Sequence, residues 1–204
     1  MKLKIGIIDY GVGNLTSIRN TLNKVGFKAF ISSNHSSLRD SDLILLPGVG
    51  AFKPAMDAIK EKGLNDFIYE MVREKTPILG ICLGMQLLGR SSTEGQYTRG
   101  LNLIPEDVYS LEDNRCHVGW NNAKIFSKFK KLEIPDNLDF YFNHSFAFKP
   151  NLDFTVGETT YSGQQFTAII MKDNIAGFQF HPEKSQMAGQ ILLKRIIFRL
   201  CSHA

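Results

Sequence analysis

The sequence predicts an α/β fold: an open, mixed and mainly parallel sheet flanked by helices, with added antiparallel strands. Three observations carry that expectation. Short apolar segments alternate with helical patterns through the first half of the chain, as parallel strands buried on both faces and joined by crossovers require. From Leu103 onward, strand-like segments follow one another with no helical pattern between them, which reads as antiparallel pairing. The chain then closes on an amphipathic segment, from about Gln186 to Leu200, carrying Met187, Ile191, Leu192, Ile196 and Leu200. A length of 204 residues suits one domain with a substantial core, read here as residues 1–204.

Taken in order, Leu3 to Asp9 is apolar and β-branched, Tyr10-Gly11-Val12-Gly13-Asn14 is a glycine turn, and Leu15, Ile18, Leu22 and Val25 fall at helical spacing. The turn resembles the start of a dinucleotide fingerprint, but the position three after Gly13 is Thr16, so no nucleotide cofactor is expected. Phe27 to Ser32 and Leu43 to Leu46 read as the next strands, followed by Pro47-Gly48-Val49-Gly50-Ala51-Phe52. Helical patterns cover about Pro54 to Lys62 and Leu64 to Glu74. Pro77-Ile78-Leu79-Gly80-Ile81 reads as a buried strand and the residues from Gly84 on as a helix, which leaves Cys82 at the turn between them. Beyond the polar stretch Ser91 to Gly100, strands are expected over Leu103 to Val108, Asn122 to Phe126, Phe140 to Phe148, Phe154 to Thr160, Thr167 to Lys172 and Ile175 to Phe180. Lys172-Asp173-Asn174-Ile175 reads as a tight hairpin turn.

Composition excludes several classes. Hydrophobic content of 43% and charged content of 22% are ordinary for a soluble globular chain. The formal charge of +4 is mild, and the dense basic run Lys128-Phe129-Lys130-Lys131 reads as a solvated loop, so no nucleic-acid partner is expected. Three cysteines, Cys82, Cys116 and Cys201, with no repeated spacing argue against a disulfide framework or a metal site and fit a reducing, cytoplasmic compartment. Met1-Lys2-Leu3-Lys4 runs straight into a strand, and no apolar run approaches a membrane span; neither export nor a membrane association is expected.

The chemistry gathers on a few residues. Gly80 and Gly84 relieve the crowding of a sharp strand-to-helix reversal and push the Cys82 side chain out over the end of the sheet, where the first N–H groups of the helix suit an anionic nucleophile. Gly48 and Gly50 let the backbone around Val49 present N–H groups at a strand end, the geometry an oxyanion asks of its donors. Past the last strand, His181-Pro182-Glu183 supplies a base and a carboxylate to orient it, because residues two apart on extended chain point the same way and Pro182 stiffens the segment. Together these serve acyl transfer by a cysteine nucleophile. Spacing alone does not tell a peptidase from an amidase. His117 and His144 read as structural, and His35 and His203 as exposed.

Gly80-Ile81-Cys82-Leu83-Gly84-Met85-Gln86, Pro47-Gly48-Val49-Gly50-Ala51-Phe52 and Gly177-Phe178-Gln179-Phe180-His181-Pro182-Glu183-Lys184-Ser185 together resemble the triad-type, class I glutamine amidotransferases. Asp9-Tyr10-Gly11-Val12-Gly13-Asn14, His117-Val118-Gly119-Trp120-Asn121 and Tyr141-Phe142-Asn143-His144-Ser145 narrow the likeness to the glutaminase subunits of imidazole glycerol phosphate synthases, over nearly the whole chain. The resemblance implies that Cys82 attacks the side-chain amide of glutamine and that His181, held by Glu183, protonates the departing ammonia. It implies an oxyanion hole from the backbone of Gly48, Val49 and Gly50 with the N–H of Leu83. It also implies substrate contacts from Gln86, Ser145 and Phe146, and a partner interface at Asn14, Trp120, Asn121 and Lys184. The implied partner is a (β/α)8-barrel cyclase or synthase subunit, in a heterodimer through which ammonia travels. No cofactor or metal is implied.

The likeness departs from the usual pattern at Cys116, where the family has proline, at Val118, where it has methionine, and at Asn143, where it has an apolar residue. The triad residues themselves are unchanged. The departures bear on the partner surface, and a relative that supplies ammonia for nucleotide-sugar amination in surface polysaccharide synthesis is the alternative reading.

Overall fold

Every residue of Leu43–Leu46 and of Ile78–Ile81 is buried, as strands covered on both faces must be. In the computed structural model, which describes residues 2–112, 115–126, 129, 132–135, 138–151 and 153–202, these are β3 and β4 of an open mixed sheet. The alternating half runs β1 (Lys4–Ile8), α1 (Leu15–Lys24), β2 (Lys28–Ser32), α2 (His35–Arg39), β3, α3 (Phe52–Glu61), α4 (Leu64–Arg73) and β4. After α5 (Leu83–Leu87) come β5 (Ser91–Ser92), β6 (Thr98–Arg99), β7 (Asp107–Ser110), β8 (His117–Asn122), β9 (Lys124–Ile125), β10 (Asp139–His144) and β11 (Phe146–Phe148). The chain then forms β12 (Thr155–Tyr161), β13 (Gln164–Lys172), β14 (Ile175–Phe178) and α6 (Gln186–Cys201).

The main sheet has the order β2-β1-β3-β4-β14-β13-β12-β9. Its first five strands are parallel, and the last three continue antiparallel. The period-2 alternation of strand side chains divides the core between the two faces. Leu43 and Leu45 join Ile18 and Leu22 of α1 and Leu192, Leu193 and Ile196 of α6 on one side. Ile44 and Leu46 join Met56 of α3 and Ile68 and Met71 of α4 on the other. Because β1 lies between β2 and β3, the strand order reverses there, and the carboxyl ends of β1, β3, β4 and β14 share the edge where open α/β sheets place their sites. No helix among the described residues is long and apolar enough to cross a membrane.

The second half differs from expectation in several places. Among the described residues, only β9, β12 and β13 extend the main sheet antiparallel; β8 and β10 form a separate ribbon, and β5, β6, β7 and β11 a small sheet. The strand expected over Phe140 to Phe148 breaks at Ser145, whose carbonyl accepts Leu111 N–H at 2.8 Å and redirects the chain from the ribbon to the small sheet. The strand expected over Leu103 to Val108 starts only at Asp107, because the N–H groups of Leu103 and Ile104 turn back onto the Leu88 carbonyl at the end of α5. The expected Asn122 to Phe126 strand shrinks to β9, and β8 before it was not anticipated. The short helix α2 was also missed; Asn34 caps it by accepting Ser37 N–H at 3.1 Å. His35, expected exposed, is half-buried and stacks on Phe67 at 5.0 Å. The turn at Asp173 is as expected, with β13 and β14 paired from Lys172 and Ile175. His203 and the basic-run residues Lys128, Lys130 and Lys131 lie outside the described residues.

Candidate active site

Cys82 follows β4 and caps α5 with φ 53 and ψ −112, a conformation that costs a non-glycine residue about 1–3 kcal/mol and needs support from its surroundings. The flanking glycines are required for space and not for unusual dihedrals. A Cβ on Gly84 would stand 1.9 Å from the Leu46 carbonyl oxygen, and one on Gly80 would stand 2.7 Å from the backbone of Met85. α5 therefore sits directly against the ends of β3 and β4, and the strain of the reversal falls on Cys82 itself. The thiol is 5% exposed and within 3.8 Å of the Asn143 carbonyl oxygen.

The parallel pairing of β14 with β4, Phe178 opposite Ile81, delivers His181 to the same edge. His181 Nδ1 lies 2.9 Å from Glu183 Oε1, and both side chains are 2% exposed. The segment is not extended, as the sequence argument assumed. His181 to Lys184 forms a turn in which the Lys184 N–H donates to the His181 carbonyl at 3.0 Å, and this turn brings the carboxylate back to the imidazole. Ser185 Oγ secures it, donating to the His181 carbonyl at 2.7 Å while accepting Tyr141 N–H at 2.9 Å. Burial disfavours a charged His181, but its contacts with Cys82 and Glu183 outweigh that and raise its pKa to about 10, so the imidazole is protonated at neutral pH.

Cys82 and His181 open into one cavity of about 260 Å³, lined also by Val49, Gly50, Leu83, Gln86, Ser145 and Phe146. Gly48 is buried and does not line it. Among the described residues, the main-chain N–H groups of Gly48, Val49, Gly50 and Leu83 have no hydrogen-bond acceptor. Gln86 is less free than expected. Its Nε2 donates to the Phe146 carbonyl at 2.7 Å and to Gln179 Oε1 at 3.2 Å, which leaves Oε1 for a ligand.

Of the four residues expected at a partner face, Trp120 and Lys184 share one neighbour and Asn121 turns away from it. Trp120 is 50% exposed, edge-on to Tyr141 at 6.1 Å, and the Lys184 ammonium lies over the same Tyr141 ring at 5.4 Å. Asn121, the next residue along β8, points the other way; its Nδ2 donates to the Thr160 carbonyl at 2.9 Å. Asn14 is exposed on the turn after β1 and caps α1, accepting Ser17 N–H at 3.4 Å.

Three further residues bear on the cavity. Gln179, fully buried, places Nε2 3.9 Å from Cys82 Sγ. Glu94 lines the cavity and accepts Phe52 N–H at 2.8 Å through Oε2. His144 donates from Nδ1 to the Phe146 carbonyl at 3.0 Å, and burial, with His117 nearby, lowers its pKa to about 3, so it is neutral. Gln179 was within the quoted His181 motif; for Glu94 no local pattern marked it.

The chain matches the family model for class-I glutamine amidotransferases over residues 6–199. It is 41% identical to the imidazole glycerol phosphate synthase subunit HisH 2 of Nitrobacter winogradskyi, over 95% of this chain and 97% of that one. It is 42% identical to the HisH 1 subunit of Campylobacter jejuni, over 95% and 98% of the two chains. Among solved structures it resembles PurLQS from Thermotoga maritima (TM-score 0.75, 19% identity, 98% and 100% of the two chains), a likeness of fold. A GMP synthase subunit from Thermoplasma acidophilum gives a TM-score of 0.74 at 20% identity, covering 100% and 96%. With a cysteine elbow, a His–Glu pair and unbonded N–H groups around one cavity, and with a family match over nearly its whole length, the chain belongs to the class-I glutamine amidotransferases.

Proposed function

We propose that the chain is the glutaminase subunit of an imidazole glycerol phosphate synthase. It hydrolyses glutamine to glutamate and ammonia, and passes the ammonia to a (β/α)8-barrel subunit that makes imidazole glycerol phosphate and AICAR in histidine biosynthesis. The names of its relatives support the pathway, and one observation carries the chemistry: Cys82 and the Glu183-bound His181 open into a single cavity of about 260 Å³, a size suited to one amino acid.

In this reading the Cys82 sulfur attacks the side-chain amide carbon. The carbonyl oxygen takes the negative charge and is held by N–H groups of Leu83 and the Gly48–Val49–Gly50 backbone. Collapse breaks the C–N bond, and protonated His181 gives its proton to the leaving nitrogen. Water then attacks the thioester, His181 takes its proton, and glutamate leaves as the Cys82 thiolate re-forms. Gln86 Oε1 and the backbone at Ser145 and Phe146 hold the polar groups of glutamine. Trp120 and Lys184, which share the Tyr141 ring, meet the barrel together with Asn14 and Asn121; ammonia needs that enclosed route because in water it becomes ammonium, which is no nucleophile. Residues 1–204 act as one amidotransferase domain, and the three free cysteines suit the cytoplasm.

The test uses the complex with its barrel partner and the partner's ligand. Cys82→Ala should abolish glutamine-dependent turnover and leave turnover with added ammonium salts intact; loss of both would sink the channelling account. A second reading keeps the glutaminase and changes the acceptor to a nucleotide sugar. It is favoured by Val118 and Asn143, two departures from the family pattern that lie opposite each other in the β8–β10 ribbon, both exposed near Trp120. Stimulation of glutamine hydrolysis by a nucleotide sugar on the natural partner, in place of the histidine-pathway ribonucleotide, decides for it.

A further inference from the structure

The N–H groups proposed to hold the oxyanion belong to a short loop, and something must fix their direction. Pro47 begins that loop. The register of β1 with β3, Ile5 opposite Leu43 and Ile7 opposite Leu45, brings the residues just past β1 alongside it. Tyr10, 1% exposed, crosses the reversal point of the sheet and donates its hydroxyl proton to the Pro47 carbonyl at 2.6 Å. That carbonyl shares a peptide plane with the Gly48 N–H, so the bond sets the plane from which the donor loop departs. The approach is close on several sides. A Cβ on Gly48 would stand 2.8 Å from the Tyr10 oxygen and 2.7 Å from the Gly84 nitrogen, and one on Gly13 would stand 3.6 Å from Pro47 Cβ. The glycine turn thus grips the loop from one side while α5 bounds it from the other.

We infer that Tyr10 is a positioning residue for the glutaminase reaction: its hydroxyl, bonded to the Pro47 carbonyl, orients the Gly48–Val49–Gly50 donors toward the oxyanion. The inference rests on the functional reading above and extends it to a residue that touches neither glutamine nor Cys82. Burial and the charge on Cys82 both push the Tyr10 phenol above its ordinary pKa, so it stays a proton donor across the working pH range. The turn that carries Tyr10 ends at Asn14, the residue proposed to face the barrel.

The test is Tyr10→Phe in the assembled complex, with two reactions that differ in their need for an oxyanion hole. Alkylation of Cys82 by iodoacetamide displaces a halide and forms no oxyanion, whereas glutamine hydrolysis does. Oxyanion support acts in the transition state. Tyr10→Phe is therefore expected to lower kcat for glutamine about tenfold, with KM within about twofold and the alkylation rate unchanged. A purely structural role would slow both reactions together and lower the melting temperature in step; that outcome, or an unchanged kcat, overturns the inference. A wild-type complex without Cys82-dependent hydrolysis overturns the functional reading itself, and the inference with it.

Discussion

Gly84→Ala tests the cysteine elbow most directly, because the structure states what the added methyl would meet. Its carbon would stand 1.9 Å from the Leu46 carbonyl oxygen and 2.8 Å from the Leu46 carbonyl carbon, both main-chain atoms at the end of β3. No side chain can swing aside to absorb this. Ordinary contact requires α5 to retreat by roughly 1.5 Å, and Leu83 N–H and Cys82 move with it. Overpacking of this kind costs about 1–3 kcal/mol, and since the obstacle is backbone we take the upper end. At roughly 2–4 °C per kcal/mol for a chain of this size, the melting temperature should fall by about 6–12 °C. Activity should suffer more, because a misplacement of about 1 Å at a reacting centre costs on the order of a hundredfold. Thermal unfolding followed by circular dichroism reads the first quantity and a coupled glutamate assay on the barrel complex reads the second. Gly163→Ala is the control: it has open space around it but φ +85, so it isolates the backbone cost of about 1 kcal/mol. If Gly84→Ala melts with Gly163→Ala and keeps its kcat within about threefold, the close approach of α5 to β3 does not matter as argued.

Two other variants probe charge. Glu183→Gln removes the carboxylate 2.9 Å from His181 Nδ1 and should lower kcat by about 10²–10⁴. The pKa of His181 is raised to about 10 in the folded chain, so its contribution to stability is complete below the unfolded value of 6.5 and is lost as pH rises through the folded value. The fall in melting temperature between pH 7 and pH 10 should accordingly be shallower in Glu183→Gln; an identical slope would show that the pair is not coupled. His117 works in the opposite sense. Burial lowers its pKa to about 4, so below pH 6.5 protons bind the unfolded chain in preference and the fold weakens until the native group also titrates. His117→Phe keeps the stack between Phe142 at 4.7 Å and Tyr161 at 4.2 Å, and should lose less melting temperature than the wild type between pH 7 and pH 5. An equal or larger loss refutes the assignment.

What the sequence could and could not say follows from which interactions are local. Gly80, Cys82 and Gly84 lie within five residues, and the crowding that demands the glycines arises wherever a strand reverses tightly into a helix, so the elbow was legible. The same local argument placed His181 beside Glu183 but by the wrong geometry. Spacing of two fits extended chain and also fits a turn, and only the contacts of Ser185 with the His181 carbonyl and with Tyr141, forty-four residues away, select the turn. The inward direction of Asn121 was available from strand alternation once Trp120 faces out, but β8 had not been recognised as a strand, so the rule had nothing to act on. The break at Ser145 was invisible for a similar reason: Phe140 to Phe148 alternates like one strand, and its division depends on two separate partners, β8 and β7.

Tyr10 and Glu94 mark the harder boundary. Each reaches the donor loop or its flank from a distant part of the chain, Tyr10 onto Pro47 from thirty-seven residues away and Glu94 onto Phe52 from forty-two. Neither stands in a local pattern that chemistry would single out beside a cysteine nucleophile. A motif can specify the atoms that react because those atoms need particular functional groups. The groups that hold a backbone N–H in its direction need only a hydroxyl or carboxylate at the right place, and many residues can provide one. Sequence therefore speaks clearly for Cys82, His181 and Glu183 and weakly for what steadies Val49, and it is at such supports that relatives sharing one reaction are free to differ.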